Sequence, residues 1–248
     1  MKIEEAIKLY CEMYSINITS AKQRYTDVLN HYNGKGYSKW AEDLRNKWYE
    51  ALDYEDAAYK LYDDDWYFCD LLACYKIYSS EYIKKVGPLN LTVDTCLDLG
   101  CGLGLTTKAL EDIGCGRVVG TNLKGTKQYD FCASHIDVLP DHKEAGPVDL
   151  VFASEYFEHI YHAGDHLIEI LEVNKPKVIV MANAFNAKSF GHFDYFYNLR
   201  WSSKVIPLDS YIHHSKMGRM FANILKQSGY EKVKTGFWND RPNVWQKK

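Results

Sequence analysis

A short cluster of carboxylates and an imidazole follows an apolar run at residues 148–154. Glu155, Glu158 and His159 are spaced so that a tight turn or a first helical turn would bring them together. Two carboxylates and an imidazole suit Mg²⁺, Mn²⁺ or Fe²⁺, and His192, after a later apolar run, is the candidate fourth ligand. Without a metal, His159 or His192 would act as general base and Tyr156 would orient the substrate. We therefore predict that Glu155, Glu158, His159 and His192 are catalytic and, in the metal-bound alternative, the ligands of a divalent ion.

A glycine-rich turn occupies residues 97–105, with the sequence Leu-Asp-Leu-Gly-Cys-Gly-Leu-Gly-Leu. Glycine lets the backbone approach a ligand closely, and the helix expected after the turn begins with free N–H groups. The spacing differs from the dinucleotide fingerprint, and the lysine of a phosphate-binding loop is missing. The turn therefore predicts a nucleotide-like ligand at Asp98, Gly100, Cys101, Gly102 and Gly104.

Two regions with different patterns must position these residues. Residues 1–88 show helical periodicity and predict a helical cap that recognises the substrate, whereas residues 89–248 alternate short apolar runs with helices. Strands alternating with helices favour a parallel sheet covered on both faces. We expect an α/β fold, with a doubly wound, seven-stranded, mostly parallel sheet whose last strand is antiparallel. Strands are predicted at 93–99, 117–122, 136–138, 148–154, 177–182, 231–237 and 243–246.

The glycine-rich turn resembles the first motif of class I, Rossmann-like methyltransferases that use S-adenosylmethionine (SAM). The resemblance implies that the glycine loop passes under the methionine half of SAM and that Asp98 helps to hold its ammonium group. The family usually places an acidic residue that binds the ribose hydroxyls at the end of the second strand. Asn122 stands there in this chain, followed by Leu123. An amide lacks the charge of a carboxylate, so we expect weaker binding of the ribose.

The resemblance continues in two later segments. Asp137 and Val138 match the third motif, in which the acid would meet the adenine amino group and the apolar side chain would pack on the ring. Ser154 and Glu155, at the end of the fourth predicted strand, complete the expected set of cofactor-binding residues.

The carboxylate–imidazole cluster resembles a narrower group of these enzymes. Glu-x-x-Glu-His with a later histidine is similar to the motif of metal-dependent 2′-O-methyltransferases of small-RNA 3′ ends, and a related motif occurs in ubiquinone-pathway O-methyltransferases. In such sites Mg²⁺ or Mn²⁺ holds the hydroxyl oxygens of the acceptor and lowers their pKa. In many metal-free small-molecule methyltransferases the same Glu-His pair instead contacts SAM or orients the substrate. The Asp/Asn-Pro-Pro-Tyr/Phe and Pro-Cys motifs of common DNA methylation chemistries do not occur here.

Composition limits the partners and the location. A net charge of −3 does not favour nucleic acid, although a local basic patch would still serve. The sequence contains no apolar run of the ~20 residues that a membrane span needs. Seven cysteines without Cys-x-x-Cys spacing are typical of reduced thiols and predict a cytoplasmic protein. The sequence leaves the oligomeric state open.

These features predict SAM-dependent transfer of a methyl group to an oxygen, or next to a nitrogen, of a small-molecule or nucleotide-like acceptor. Three alternatives stay open. They are metal-dependent RNA ribose 2′-O-methylation, modification of a nucleic acid or nucleotide by a less common chemistry, and a non-catalytic partner protein that only binds SAM.

Overall fold

The computed structural model describes residues 1–34, 38–51, 53–89, 93–187, 189, 191–203, 206–237, 239 and 241–248. Its strands are β1 (Thr95–Leu99), β2 (Arg117–Thr121), β3 (Val138–Leu139), β4 (Leu150–Ser154), β5 (Val178–Ala182), β6 (Tyr195–Asn198), β7 (Ser210–His213), β8 (Tyr230–Lys232) and β9 (Asn243–Lys247). Its α-helices are α1 (Ile3–Tyr14), α2 (Ile18–Tyr32), α3 (Lys39–Tyr49), α4 (Tyr54–Tyr62), α5 (Asp65–Cys74), α6 (Ser80–Val86), α7 (Leu105–Asp112), α8 (Lys127–Ala133), α9 (Ala163–Val173) and α10 (Met217–Gln227).

Seven strands form one sheet in the order β3-β2-β1-β4-β5-β9-β8. Neighbouring strands from β3 to β5 run parallel, and β9 is antiparallel to both β5 and β8. Strands buried on both faces need near-continuous apolar sequence, and β5, Val-Ile-Val-Met-Ala, is buried throughout. The predicted seven-stranded, mostly parallel sheet with an antiparallel last strand is confirmed.

Both faces of the sheet are covered by helices. On one face, α9 and α10 bury amphipathic stripes such as Met220, Phe221 and Ile224 against β1, β4 and β5. On the other face, α6 and α7 pack against the same strands through Ile83 and Leu110. The helix α6 lies within the predicted cap, so the helical region already packs on the sheet before the expected boundary. Residues 90–92, just after that boundary, lie outside the described residues.

The remaining N-terminal helices form a second core. Residues of α1, α2, α3 and α5 pack together around Tyr10 and Phe68, whose rings stack with centroids 3.6 Å apart. Leu103 and Leu105 of the glycine-rich segment and Phe131 of α8 belong to the same core. The cap is therefore anchored directly on the segment that the sequence assigns to the cofactor. A π-helix, Tyr75–Ser79, connects α5 to α6.

Three local features differ from the predicted elements. The strand predicted at 231–237 is the shorter Tyr230–Lys232. The third strand is Val138–Leu139 rather than 136–138, which moves its carboxyl end forward along the chain. Strands β6 and β7 pair as a separate two-stranded sheet that the sequence pattern did not indicate. Its burial is uneven, with Phe196 and Ile212 inside and Tyr211 exposed.

Asp149 fastens the edge of the sheet where β1, β4 and β5 begin. Its Oδ2 accepts hydrogen bonds from the N–H groups of Asp94 and Thr95, both at 3.0 Å, and its Oδ1 lies 2.7 Å from Nζ of Lys177. The Lys177 contact holds the pKa of Asp149 at about 2. Asp149 therefore has a structural role at the ends where these strands begin. The opposite, carboxyl ends of the strands are left for a ligand.

Among the described residues, every helix falls short of the length or the hydropathy that crossing a membrane requires.

Candidate active site

A cavity of about 840 Å³ opens between the carboxyl ends of the strands and the N-terminal helices. Ligands of open α/β sheets bind at this edge, and the volume lies in the range of small-molecule sites. The sheet contributes the segments that follow β1, β2, β3, β4 and β5. The cap contributes mainly aromatic side chains, among them Tyr32, Trp48, Tyr54, Tyr62, Tyr67, Tyr75 and Tyr78.

The glycine-rich turn forms the floor of this cavity. Gly100, Gly102 and Gly104 all have positive φ, which favours glycine. A Cβ at Gly102 would meet only Leu71 of the cap, 3.9 Å away, so its backbone faces open space. A Cβ at Gly100 would collide with the ring of Tyr156, whereas Gly104 is the N-cap residue before α7 and lies against His135. Gly100, Cys101 and Gly102 line the cavity, but Gly104 is outside the described wall and shapes the turn.

Asp98 lies at the end of β1 on the wall of the cavity and is 1% exposed. Its Oδ2 accepts a hydrogen bond from Oγ1 of Thr107 at 2.8 Å. Burial raises the pKa of Asp98 to about 7. A ligand cation placed beside this carboxyl would favour its charged form. The arrangement is therefore compatible with the ammonium-binding role expected of Asp98.

Asn122 lines the cavity but uses its amide inside the protein. Its Nδ2 donates to the carbonyl oxygen of Gly102 at 2.8 Å and to Sγ of Cys132 at 3.5 Å, which engages both N–H groups. Its Oδ1 accepts from the N–H of Leu123 at 2.7 Å. Asn122 therefore holds the glycine turn against β2, and only one lone pair of its carbonyl is left for a ribose hydroxyl. Leu123 also lines the cavity.

The prediction that Asp137 and Val138 bind the adenine differs from the observed register. Asp137 precedes β3, its side chain is 66% exposed, and it lies 3.4 Å from Arg117 at the start of β2. Neither residue is among the described residues that line the cavity. The residues after β3 that line it are Pro140, Asp141 and His142. The strand starts later than the sequence pattern suggested, so Asp141 is the acid at the carboxyl end of β3.

Glu155 begins the turn after β4 and has a positive φ of 50°, uncommon for a residue with a side chain. Its Oε1 lies 2.7 Å from Nη2 of Arg241 and accepts from the Tyr82 hydroxyl at 3.2 Å. Burial raises the pKa of Glu155, and the Arg241 charge acts in the opposite direction. Next to it, Oγ of Ser154 lies 2.9 Å from Oγ of Ser79 in the π-helix. Ser154 and Glu155 therefore join the sheet to the N-terminal helices at the cavity.

Glu158 is fully buried and is not on the described cavity wall. It lies in a 3₁₀ turn, Phe157–His159, and its Oε1 accepts from the N–H of Ala184 at 2.7 Å. Its Oε2 has no hydrogen-bond partner among the described residues. Burial raises its pKa to about 8, and the nearby Glu155 carboxyl acts in the same direction. In this conformation Glu158 positions the turn after β4 and does not reach a ligand in the cavity.

His159 and His192 form an imidazole pair on the cavity wall, with ring centroids 4.7 Å apart. Nδ1 of His159 lies 3.0 Å from the carbonyl oxygen of Gly191, and Nδ1 of His192 lies 2.9 Å from that of Ala187. Because a carbonyl oxygen only accepts, each Nδ1 carries the proton and each Nε2 is left as a base. Burial lowers the pKa of His159 to about 3 and also lowers that of His192.

The four predicted metal ligands are only partly brought together. The two imidazoles have the anchored form typical of metal ligands, with Nδ1 on a backbone carbonyl. Glu155 is instead engaged by Arg241 and Tyr82, and one oxygen of Glu158 by the Ala184 amide. This donor set does not fit a metal ion as arranged, so an ion at Glu155, Glu158, His159 and His192 stays a prediction.

Several cavity residues were missed by the sequence analysis. Arg241 comes from the segment before β9, and His142, His166 and Glu169 form one cluster on the wall. His166 and Glu169 lie on α9, which runs from Ala163 to Val173 and includes Gly164. The i, i+3 spacing of His166 and Glu169 on α9 was the available signal.

Comparison with known proteins agrees with the architecture. No protein-family model matches the chain. The magnesium protoporphyrin IX methyltransferase of Synechocystis PCC 6803, solved with bound SAM, superposes with a TM-score of 0.50 at 11% identity, covering 80% of this chain and 99% of that one. The mitochondrial ubiquinone biosynthesis O-methyltransferase of Dictyostelium discoideum is 21% identical over 171 residues, which cover 60% of this chain. The chain spans about half the length of this curated relative, 51%.

The sheet order, the glycine turn at the end of β1 and the structural match lead to one conclusion. The chain has the Rossmann-like fold of the class I SAM-dependent methyltransferases, and its large cavity lies at the edge of the sheet where this fold class binds its ligands.

Proposed function

We propose that this protein is a SAM-dependent methyltransferase that methylates a hydroxyl oxygen of a small, planar acceptor. The observation that carries the proposal is one continuous cavity. It joins the glycine turn to two unprotonated imidazole nitrogens beneath a wall of cap aromatics. The proposed donor site, base and acceptor site thus share one cavity.

The donor half of the cavity suits SAM in charge and shape. The exposed backbone at Gly102 leaves room for the methionine portion, and the Asp98 carboxyl faces the same space. An ammonium group near Asp98 would gain a buried ionic partner. At the other end, the segment from Pro140 to His142 would lie beside the adenine in place of Asp137 and Val138.

The acceptor half of the cavity suits a planar group with a hydroxyl. Trp48 and Tyr54 of the cap each contact Phe193, with ring centroids 5.8 and 6.1 Å apart, next to His192. Aromatic faces bind planar ligands by stacking. A hydroxyl held there would lie within reach of the imidazole pair.

The reaction needs alignment and one proton transfer. The acceptor oxygen attacks the methyl carbon, the bond from sulfur to carbon breaks, and the hydroxyl proton passes to Nε2 of an imidazole. The products are a methyl ether and S-adenosylhomocysteine. His192 is the better base because the pKa of His159 is lowered to about 3. Fixed alignment supplies most of the acceleration, and a positioned base adds about 10²–10⁴-fold.

RNA ribose 2′-O-methylation is the second candidate, because the anchored imidazoles also match the usual form of metal ligands. It requires Glu155 to leave Arg241 and join an ion such as Mn²⁺. The net charge of −3 opposes this candidate because RNA binding depends on a positive surface.

Calorimetry and a transfer assay test the proposal. SAM and S-adenosylhomocysteine should bind with 1:1 stoichiometry, while NAD⁺ and ATP should not. With radiolabelled SAM, a panel of phenols and catechols should accept methyl groups in the presence of EDTA, and short RNA should not. Transfer to RNA that requires Mn²⁺ would favour the second candidate. Binding of SAM without transfer to any acceptor would favour a non-catalytic partner protein, and absence of SAM binding would refute the whole assignment.

A further inference from the structure

We propose that His142, His166 and Glu169 bind a divalent transition metal of the Zn²⁺ type. Among the described residues these three form the group whose donor atoms all lie within 4.8 Å of one another. The site is separate from Glu155, Glu158, His159 and His192, and the proposal does not depend on methyl transfer.

The spacing of the donor atoms matches a coordination sphere. Oε2 of Glu169 lies 3.3 Å from Nε2 of His142 and 4.0 Å from Nδ1 of His166. Ligand atoms about 2.0–2.2 Å from a tetrahedral ion are roughly 3.4 Å from each other. Small side-chain movements would therefore place all three atoms on one ion.

The hydrogen bonds of His142 leave its Nε2 lone pair facing the Glu169 carboxylate, so that a cation must lie between these two acceptors. Nδ2 of Asn174 donates to the carbonyl oxygens of His142 and Gly146, so its Oδ1 faces Nδ1 of His142 at 2.7 Å. Nδ1 is therefore the donor, and in a neutral ring Nε2 carries only a lone pair. This lone pair faces the Glu169 carboxylate at 3.3 Å. Two acceptors at this distance need a proton or a metal ion between them.

The remaining atoms of the cluster are held as in known metal sites. Besides the Asn174 contact of His142, Nε2 of His166 lies 3.0 Å from the Tyr156 hydroxyl, and Oε1 of Glu169 lies 2.9 Å from Nζ of Lys143. Outer partners of this kind orient metal ligands, and the Asn174 contact also sets the tautomer of His142. The Asp141 carboxylate, 3.8 Å from Nε2 of His142, adds negative charge beside the Lys143 ammonium.

The cluster joins two elements and borders the cavity. His142 begins the 3₁₀ turn His142–Ala145 after β3, whereas His166 and Glu169 lie on α9. All three residues line the cavity, so a bound ion has a fourth position open to its contents. Two imidazoles and one carboxylate with an open position suit Zn²⁺ and related ions better than Mg²⁺, which prefers oxygen ligands.

Cobalt and zinc titrations of the chelator-treated full chain test the site. We expect one Co²⁺ per chain with the visible spectrum of a tetrahedral ion, without thiolate charge-transfer bands, and displacement by Zn²⁺. Glu169→Gln removes a ligand at a position that is 31% exposed and should weaken Co²⁺ binding by at least about 100-fold. Glu172→Gln changes an exposed carboxylate of the same helix and should bind as the wild type does.

Three results would overturn the proposal. Thiolate bands would place the ion on cysteines, and loss of binding in Glu158→Gln but not in Glu169→Gln would place it at the other cluster. Absence of stoichiometric binding in the wild type would mean that no metal ion lies between His142 and Glu169. Circular dichroism of Glu169→Gln shows whether a loss of affinity reflects misfolding, and His166→Gln provides the second ligand variant.

Discussion

Nδ2 of Asn122 donates a 2.8 Å hydrogen bond to the carbonyl oxygen of Gly102, so the side chain after β2 holds the glycine turn after β1. The resemblance to SAM-dependent methyltransferases leads us to expect an acid at that position, where it would bind the ribose hydroxyls. A carboxylate here would face the Gly102 carbonyl oxygen, and two acceptors repel each other. The amide therefore gives the turn a support that an acid would remove.

We expect Asn122→Asp to weaken SAM binding by about 10-fold or more, because losing a buried hydrogen bond costs roughly 1–3 kcal/mol. Calorimetry with SAM measures the change. Asn122→Ala removes the bonds without adding charge and should lose less affinity than Asn122→Asp. Tighter binding by Asn122→Asp would show that this position serves the ribose and not the turn.

Gly102→Val should abolish SAM binding, and because φ at this position is positive it should also strain the glycine turn. Gly102 has a φ of 56° and open space in front of its missing side chain, where the cofactor is expected. Binding is measured by calorimetry and folding by thermal denaturation. Gly218→Ala, at a helical glycine with free space and outside the described cavity wall, is the matched control and should bind SAM normally. Unchanged affinity in Gly102→Val would place the cofactor elsewhere.

Glu158→Ala should reduce kcat far more than SAM affinity, because it leaves the Ala184 amide without its acceptor and loosens the turn that carries Glu155 and His159. Glu158→Gln keeps an acceptor for this amide and should restore most of the turnover. Comparing kcat with KM for SAM in both variants separates positioning from cofactor binding. Equal losses of kcat and SAM affinity in Glu158→Ala would argue that the residue acts on the cofactor.

The proposed base, His192, should accept a proton from the acceptor at pH values below the usual titration range of histidine. The pKa of His192 is lowered from 6.5, chiefly by burial, so the ring loses its proton at a lower pH and stays a base at pH 6.5. We therefore expect the fall of kcat in acidic solution to have its midpoint below pH 6.5. His192→Ala should lower kcat by about 10²-fold, whereas His214→Ala should not. An activity that halves near pH 6.5 or above would contradict this assignment.

Asp70 should make the cap less stable as the pH rises. Burial raises its pKa from 3.8 to about 7, against the effect of the Tyr32 hydroxyl bond, so the folded chain retains a proton that the unfolded chain has lost. Between these two values the unfolded state binds fewer protons, and the free energy of unfolding falls by up to about 1.4 kcal/mol per pH unit.

Asp70→Asn should remove this contribution and make the fall of the melting temperature between about pH 4 and 7 less steep, while Asp98 and Glu158, whose pKa values are also raised, continue to contribute. The exposed Asp43→Asn replaces an acid of the same cap and should leave the wild-type slope unchanged. A slope that is identical in the wild type and in Asp70→Asn would show that Asp70 is charged in the folded state.

The sequence by itself was sufficient to predict the mostly parallel sheet and the glycine turn that forms the floor of the cavity. Continuous apolar runs such as 150–153 predict buried parallel strands, because both faces of such a sheet are covered. Glycines at positions 100, 102 and 104 predict a turn of positive φ, since other residues rarely adopt it. Both signals are local, so they can be read from the order of residues.

Only the tertiary structure decided which chemical groups meet. The start of β3 set whether Asp137 or Asp141 reaches the cavity, because shifting a strand by a few residues changes which side chains lie beyond its end. Arg241 lies 86 positions from Glu155 and His142 lies 27 from Glu169, yet each pair is in contact. Such contacts depend on how strands and helices pack and not on periodicity, so a linear pattern does not encode them.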